Sequence, residues 1–290
     1  MLNNKGRRYC MGGGSKLGTL KEYGLFEDSD VNVPLGSISM LDNKRGEDGV
    51  KEASKEELLR DDIEGLFIDG RPRYTEGKDG ERFNPYEDNS GTVVCLKQDD
   101  FVVVSGDTRH SSEMVINSRE MSKIFRIGNF FLTGTGFYAD SHEVYVKMEY
   151  EIRQYEVDGP INIHSAANLL SKILYSRRFF PYYSYCTLSG FDNGKPYIYA
   201  YDPVGSFESV TCECNGSGRS MIQPLLDSFI DKKNWHNAEQ TQLSQEDCVR
   251  LIAKAFASAA ERDIKTKDNL EIYVLRENKV VHKVLPLRRD

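Results

Sequence analysis

From about residue 83 onward, short runs of β-forming residues alternate with turn signals. TVVCLK (92–97) and FVVVSG (101–106) flank a polar QDD break and predict a hairpin. KIFRIG (123–128) and NFFLTG (129–134) meet at Gly128-Asn129 and predict a second. The apolar period then lengthens. Val144, Met148, Ile152 and Tyr155 recur every three or four residues, and HSAANLLSKILYSRRF puts Leu170, Ile173 and Leu174 on one stripe, so two helices follow. Strands return at SYCTLSGF (184–191), KPYIYAYD (195–202) and FESVTCE (207–213), the first two joined by a DNG turn. Helices return around 218–230 and over 244–263, where Ser244 is placed to cap and Val249, Ile252, Ala253 and Phe256 line one face. LEIYVLR (270–276) and KVVHKVLPL (279–287) end the chain as strands.

Strands grouped with strands and helices with helices disfavour a parallel βαβ sheet. The order predicts an α+β fold in which two antiparallel sheets stack face to face with a helix pair outside each: a four-layer αββα sandwich over 83–290. Residues 1–82 lack this patterning. Their charge is denser than the chain's 29 %, and their apolar residues come in ones, twos and, at Leu66-Phe67-Ile68, a three. Such a segment buries too little surface to offset its chain entropy, so a charged, disordered extension is expected, with EELLRDDIEGLF (56–67) as a short helix candidate.

A net charge of −7 gives no basic footprint for nucleic acid. No apolar run reaches a membrane span, and the N-terminus lacks a signal-peptide core. Six scattered cysteines, mostly in apolar surroundings, suit reduced thiols in the cytoplasm or nucleus. Cys212 and Cys214 form CxC without a second ligand pair, which reads as two residues on one strand face rather than a metal site. His142-Glu143 does not continue to HExxH, and MGGGSK lacks phosphate-loop spacing.

SGDTR (105–109), Lys123 before an apolar strand, DPVGS (202–206), GSG (216–218) and AAERD (259–263) together resemble the proteasome beta subunits of the N-terminal-nucleophile hydrolase superfamily. ILYSRRFFPYYSY (173–185) with QPLLD (223–227) looks like that family's sixth beta-type branch. The resemblance implies the αββα fold, no metal and no cofactor. In active members the nucleophile is a threonine whose own free α-amine is the base, helped by a lysine–aspartate pair and an oxyanion-binding N–H after a Gly-Ser element. An ordinary α-amine titrates at about 7.7–8.0, close enough to neutrality for that role. By resemblance, Asp107 and Arg109 match the strand-end acid and its arginine, Lys123 the lysine, Ser217 the oxyanion-site serine and Asp263 the acid near the amine. The serine-glycine that follows in active members reads Thr266-Lys267 here.

The nucleophile itself turns on register. In active members it stands sixteen residues before the matched aspartate, and 107 − 16 gives Gly91, not Thr92. Taking Thr92 as nucleophile deletes a residue from the first hairpin and turns every side chain of its strand to the opposite face unless a bulge absorbs the slip. The residues therefore read as a vestigial constellation (Gly91, Asp107, Lys123, Ser217, Asp263) in an inert subunit, with Lys123 and Asp107 as a partly buried pair; the alternative is an active threonine peptidase cut after Gly91. The resemblance also implies partners: the fifth and seventh beta subunits in the same ring, the opposite beta ring, alpha subunits, and unfolded polypeptide in the chamber. Asp202 has two readings, a turn residue opening a loop or a carboxylate lent to a neighbouring subunit's substrate pocket. Aromatic rings of FFPYYSY (179–185) suit core and interface equally. The extension resembles a propeptide that this chain cannot remove from itself, and trimming by a neighbour near Arg82-Phe83 is expected.

Overall fold

The computed structural model describes residues 85–288 apart from 90, 114, 158, 233–234 and 237–241, together with the dipeptides 67–68 and 71–72. The remainder of the extension, including the helix candidate's residues 56–66, lies outside the described residues. Phe67–Ile68 (β1) and Arg71–Pro72 (β2) pair antiparallel, a small strand pair that composition alone did not suggest.

One sheet runs in the order β12-β3-β4-β13-β14, built from β3 (Thr92–Lys97), β4 (Val102–Asp107), β12 (Cys212–Gly216), β13 (Asn269–Arg276) and β14 (Lys279–Pro286). The other runs β11-β10-β9-β8-β7, from β7 (Ile124–Ile127), β8 (Phe130–Gly136), β9 (Ser184–Asp192), β10 (Lys195–Tyr201) and β11 (Phe207–Ser209). Every pairing is antiparallel. Between β4 and β7 the chain makes a small hairpin, β5 (His110–Ser112) with β6 (Val115–Ser118), bulged at His110/Ser111, which the apolar pattern did not announce.

Three apolar layers hold the sandwich. Between the sheets lie Cys95, Val102, Val104, Phe131, Ile198 and Leu275. The first sheet packs Val94, Leu96 and Ile272 against Ile222 and Leu226 of α3 (Arg219–Leu226) and Ile252 and Phe256 of α4 (Gln245–Ala260). The second packs Leu132 and Leu188 against Met148 of α1 (Tyr138–Tyr155) and Leu170 and Leu174 of α2 (Ile163–Tyr175). The two helix pairs therefore cover the two outer sheet faces, as the grouping of elements predicts. At about 1.5–3 kcal/mol per fully buried aliphatic or aromatic side chain, these layers supply most of the drive to fold. Ser244 caps α4 by accepting from Asp247 N–H, and Val144, Met148 and Ile152 face inward from α1, while Tyr155, its last residue, is exposed.

One expectation is corrected. FESVTCE is not a single strand: Val210 N–H donates to Ile198 of the second sheet, whereas Thr211 C=O accepts from Lys97 of the first. The chain changes sheets between these residues. Alternation cannot show such a switch, because both halves keep the same two-residue period. Cys212 and Cys214 do share a face, and both enter the helix-side core of the first sheet. In FFPYYSY, Tyr182 is buried and Phe179 is 97 % exposed, so the run serves both core and surface.

Candidate functional site

Strand parity decides what each residue at the head of β3 faces. Val94 and Leu96 point to the helices; Cys95 points between the sheets. Residue 92 shares parity with 94 and 96, and residue 91 with 93 and 95. Gly91 accordingly looks across the sandwich. A Cβ built there would lie 2.1 Å from Lys123 Cε, 2.5 Å from its Nζ and 2.7 Å from Asp107 Oδ1. Gly91 also holds φ at +92°, a conformation that strains any side-chain-bearing residue.

Asp107 ends β4 in the first sheet, and Lys123 immediately precedes β7 in the second, so the pair bridges the sandwich at Nζ–Oδ1 3.2 Å. Asp107 is 0 % exposed and Lys123 3 %. The ammonium also donates to the carbonyls of Asp107 (2.9 Å) and Arg109 (2.7 Å), which occupies all three of its protons. Asp107 accepts from Thr92 N–H at 2.6 Å and Arg109 N–H at 3.1 Å. Burial pushes its carboxyl above the ordinary carboxylate range, against the pull of Lys123 and these two backbone donors. A charge this deep is tolerated because its partner and hydrogen bonds replace water.

Thr92 faces the other way. Its Oγ1 accepts from Gly218 N–H at 2.8 Å and lies 2.6 Å from Thr266 Oγ1. Thr266 and Ser217 each donate to Asp263 Oδ2 at 2.5 Å, and Asp263 Oδ1 accepts from Lys265 N–H. The apparent departure at Thr266 therefore still supplies a hydroxyl. Ser217 N–H donates to Gly91 C=O at 3.0 Å, tying the loop before α3 to the start of β3.

Expected residues thus assemble in two clusters on either side of the β3 head: Gly91, Asp107 and Lys123 between the sheets, and Ser217, Asp263 and Thr266 around Thr92. Arg109 stands beside the first, held by Asp268: Nε donates at 2.8 Å and Nη2 at 3.1 Å, and Arg119 joins the same carboxylate at 2.6 Å. Burial favours a neutral Asp268, but hydrogen bonds and charge from both arginines win and hold its carboxyl below the usual range. Asp268 was not singled out in the sequence; its position five residues after Asp263 carries no local signal for a partner 159 residues away. Asp202 is exposed and remote from both clusters by fold position, in the turn after β10, where Oδ1 accepts from the N–H groups of Val204 and Ser206. Among the described residues no cluster has the make-up of a metal centre.

An αββα sandwich with this lysine–aspartate pair at the mouth between its sheets is the N-terminal-nucleophile hydrolase architecture, and residues 87–275 match the proteasome subunit family model. The chain belongs to the proteasome subunit family, on its beta-type branch. It is 68 % identical, over the full length of both chains, to the probable proteasome subunit beta type-6 of Encephalitozoon cuniculi. It is also 39 % identical to the proteasome subunit beta type-1-B of Carassius auratus (72 % of this chain, 90 % of the relative) and 36 % identical to the beta type-6 subunit of Saccharomyces cerevisiae (72 % and 92 %).

Proposed function

We propose that this chain is a non-catalytic beta subunit of the 20S proteasome core, a wall of the chamber rather than one of its cutting sites. The observation that carries this reading is position 91. The residue at the nucleophile's register has no hydroxyl, and the space its side chain would need is filled by Lys123. Thr92 does not substitute: its hydroxyl is fully buried, points to the helix side and is engaged by Gly218 and Thr266. The test is an electrophilic probe that acylates N-terminal threonine, applied to purified particles. No adduct on this chain is expected, and an adduct on Thr92 would overturn the reading in favour of an active threonine peptidase.

As a core subunit it contacts the fifth and seventh beta subunits, the opposite beta ring and the alpha ring, works in the cytoplasm and nucleus, and meets unfolded polypeptide delivered by the ubiquitin pathway. Phe179, outward between Arg178 and Phe180, suits such a subunit contact. A 33.0 kDa monomer on size exclusion of native extract would contradict ring membership. Asp202 lends its carboxylate to the substrate pocket of a neighbouring subunit. Oδ1 is held by its own turn, so the carboxylate's direction is fixed without help from that neighbour. Asp202→Asn is expected to alter the particle's chymotrypsin-like peptide preference and spare its other activities; unchanged kinetics on all peptides would remove the assignment.

A further inference from the structure

The loop that carries Asp202 is fastened twice. Within the loop, Asp202 N–H donates to Ser206 C=O at 3.0 Å, Gly205 N–H donates to Asp202 C=O at 3.1 Å, and Oδ1 closes the turn on Val204 and Ser206. These bonds fix the carboxylate relative to the loop, not the loop relative to the body. The two stems of the loop are unequal in that second task. At the β10 end, Tyr201 is buried and its hydroxyl donates to Ala167 C=O of α2 at 2.8 Å. At the other end stands β11, three residues long and at the edge of its sheet, with Glu208 and Ser209 exposed. So short and exposed a strand is a weak anchor.

The second fastening comes from α2. Ser171, one helical turn beyond Ala167, donates its hydroxyl to Gly205 C=O at 2.6 Å. Gly205 is buried and holds φ at +94°. A Cβ built on it would lie 2.5 Å from Ser171 C=O, 3.2 Å from Leu174 Cβ and 3.2 Å from Tyr175 N. Only glycine lets the loop backbone lie this close to the backbone of a helix. The contact is thus main chain against main chain, with one hydroxyl as its latch.

We propose that Ser171 is a positioning residue for the neighbouring subunit's substrate pocket: its hydroxyl, seated by the bare Gly205, locks the 202–206 loop to α2 and so aims Asp202. This rests on the reading that Asp202 serves that pocket. An unlatched loop still reaches the pocket, but it must be ordered each time a peptide binds. The loss therefore falls on peptide binding and not on cleavage of the bond.

Core particles carrying Ser171→Ala test this. Alanine is the best helix former, so α2 is kept. For the chymotrypsin-like peptide that Asp202→Asn weakens most, Ser171→Ala is expected to raise KM about threefold with kcat unchanged. The particle's other peptidase activities should keep both constants. Because Ser171 acts through Asp202, the double variant should show the KM of Asp202→Asn and no more. Gly205→Ala, which holds the loop off the helix, should raise KM at least as far as Ser171→Ala, and serves alone should Ser171→Ala not assemble. A parent KM in either assembled variant, beside a raised KM in Asp202→Asn, would overturn the latch and leave the pocket assignment standing. A further threefold rise in the double variant would also overturn it, since Ser171 would then act elsewhere. If Asp202→Asn itself changes nothing, the pocket assignment falls and the positioning role falls with it.

Discussion

Positions 91 and 92 are neighbours in sequence and opposites in environment. Gly91 faces a charged pair that spans the two sheets; Thr92 faces a set of hydroxyls gathered on one carboxylate. The first cluster holds the lysine–aspartate pair that the resemblance matches to a threonine hydrolase, without the threonine. The second contains a threonine placed where its oxygen is already engaged. The contrast teaches that such a constellation has structural work of its own. Lys123 joins the sheets through one carboxylate and two carbonyls, and Asp107 orders the backbone at both Thr92 and Arg109. Each of these tasks belongs to folding, and none requires a bond to be cut.

If the charged cluster is architectural, removing one member should damage the protein most. Lys123→Met leaves Asp107 buried without its cation and is expected to destabilise the chain by about 3–5 kcal/mol, read as earlier loss of this subunit from urea-treated particles. Particles that do incorporate it should keep their activity per particle; a selective loss of turnover with normal stability would reverse the comparison.

Asp268→Asn comes next, at about 2–3 kcal/mol, because Arg119 is half exposed and shares the load. Its pH dependence has a definite sign. A carboxyl held below its usual range in the folded chain stabilises fully above about pH 4, and that contribution fades as pH falls through the lowered value. The gap between parent and variant in an acid titration should therefore be open at neutral pH and close under acid.

Gly91→Thr restores the missing hydroxyl on paper. It forces a β-branched residue to φ +92° and into Lys123. A loss of about 1–3 kcal/mol is expected, with no gain of labelling by a threonine-directed electrophile. Labelling with undiminished stability would show that the space between the sheets opens readily.

Thr92→Val sharpens the other side. It keeps shape and removes an oxygen, leaving Gly218 N–H without its acceptor. About 1–2 kcal/mol is expected to be lost, again by urea-driven release, with no change in the particle's peptidase activities.

Much of this was legible in the chain. The two-residue and 3.6-residue periods place β3, β4, β7–β10, β13, β14 and the four α-helices of the described residues, and the count from Asp107 singles out residue 91, which stands across from Lys123. The illegible parts share a cause: their partners are remote and their local pattern is weak. β5 and β6 are polar and bulged, so no alternation marks them. The sheet change between Val210 and Thr211 leaves the period untouched. Asp268 and Asn89 are ordinary polar residues whose importance lies in a guanidinium 159 residues away and a helix start 49 residues on. Thr266 looked like a departure because residue type was compared, whereas the structure uses only its hydroxyl.

The pairing of the first sheet has a consequence for how the chain comes into being. β3 is flanked by β12 and β4, and β4 by β13, so Val93 meets Asn215 and Asp107 meets Leu270. Ribosomal synthesis delivers the two central strands long before either of their outer neighbours exists. Contacts of such sequence separation close slowly, so the edge of β3 stays open to wrong partners until β12 has emerged, and that of β4 until β13 has. Stalled nascent chains that end before β12 should therefore bind holding chaperones, and release from them should track the appearance of β13.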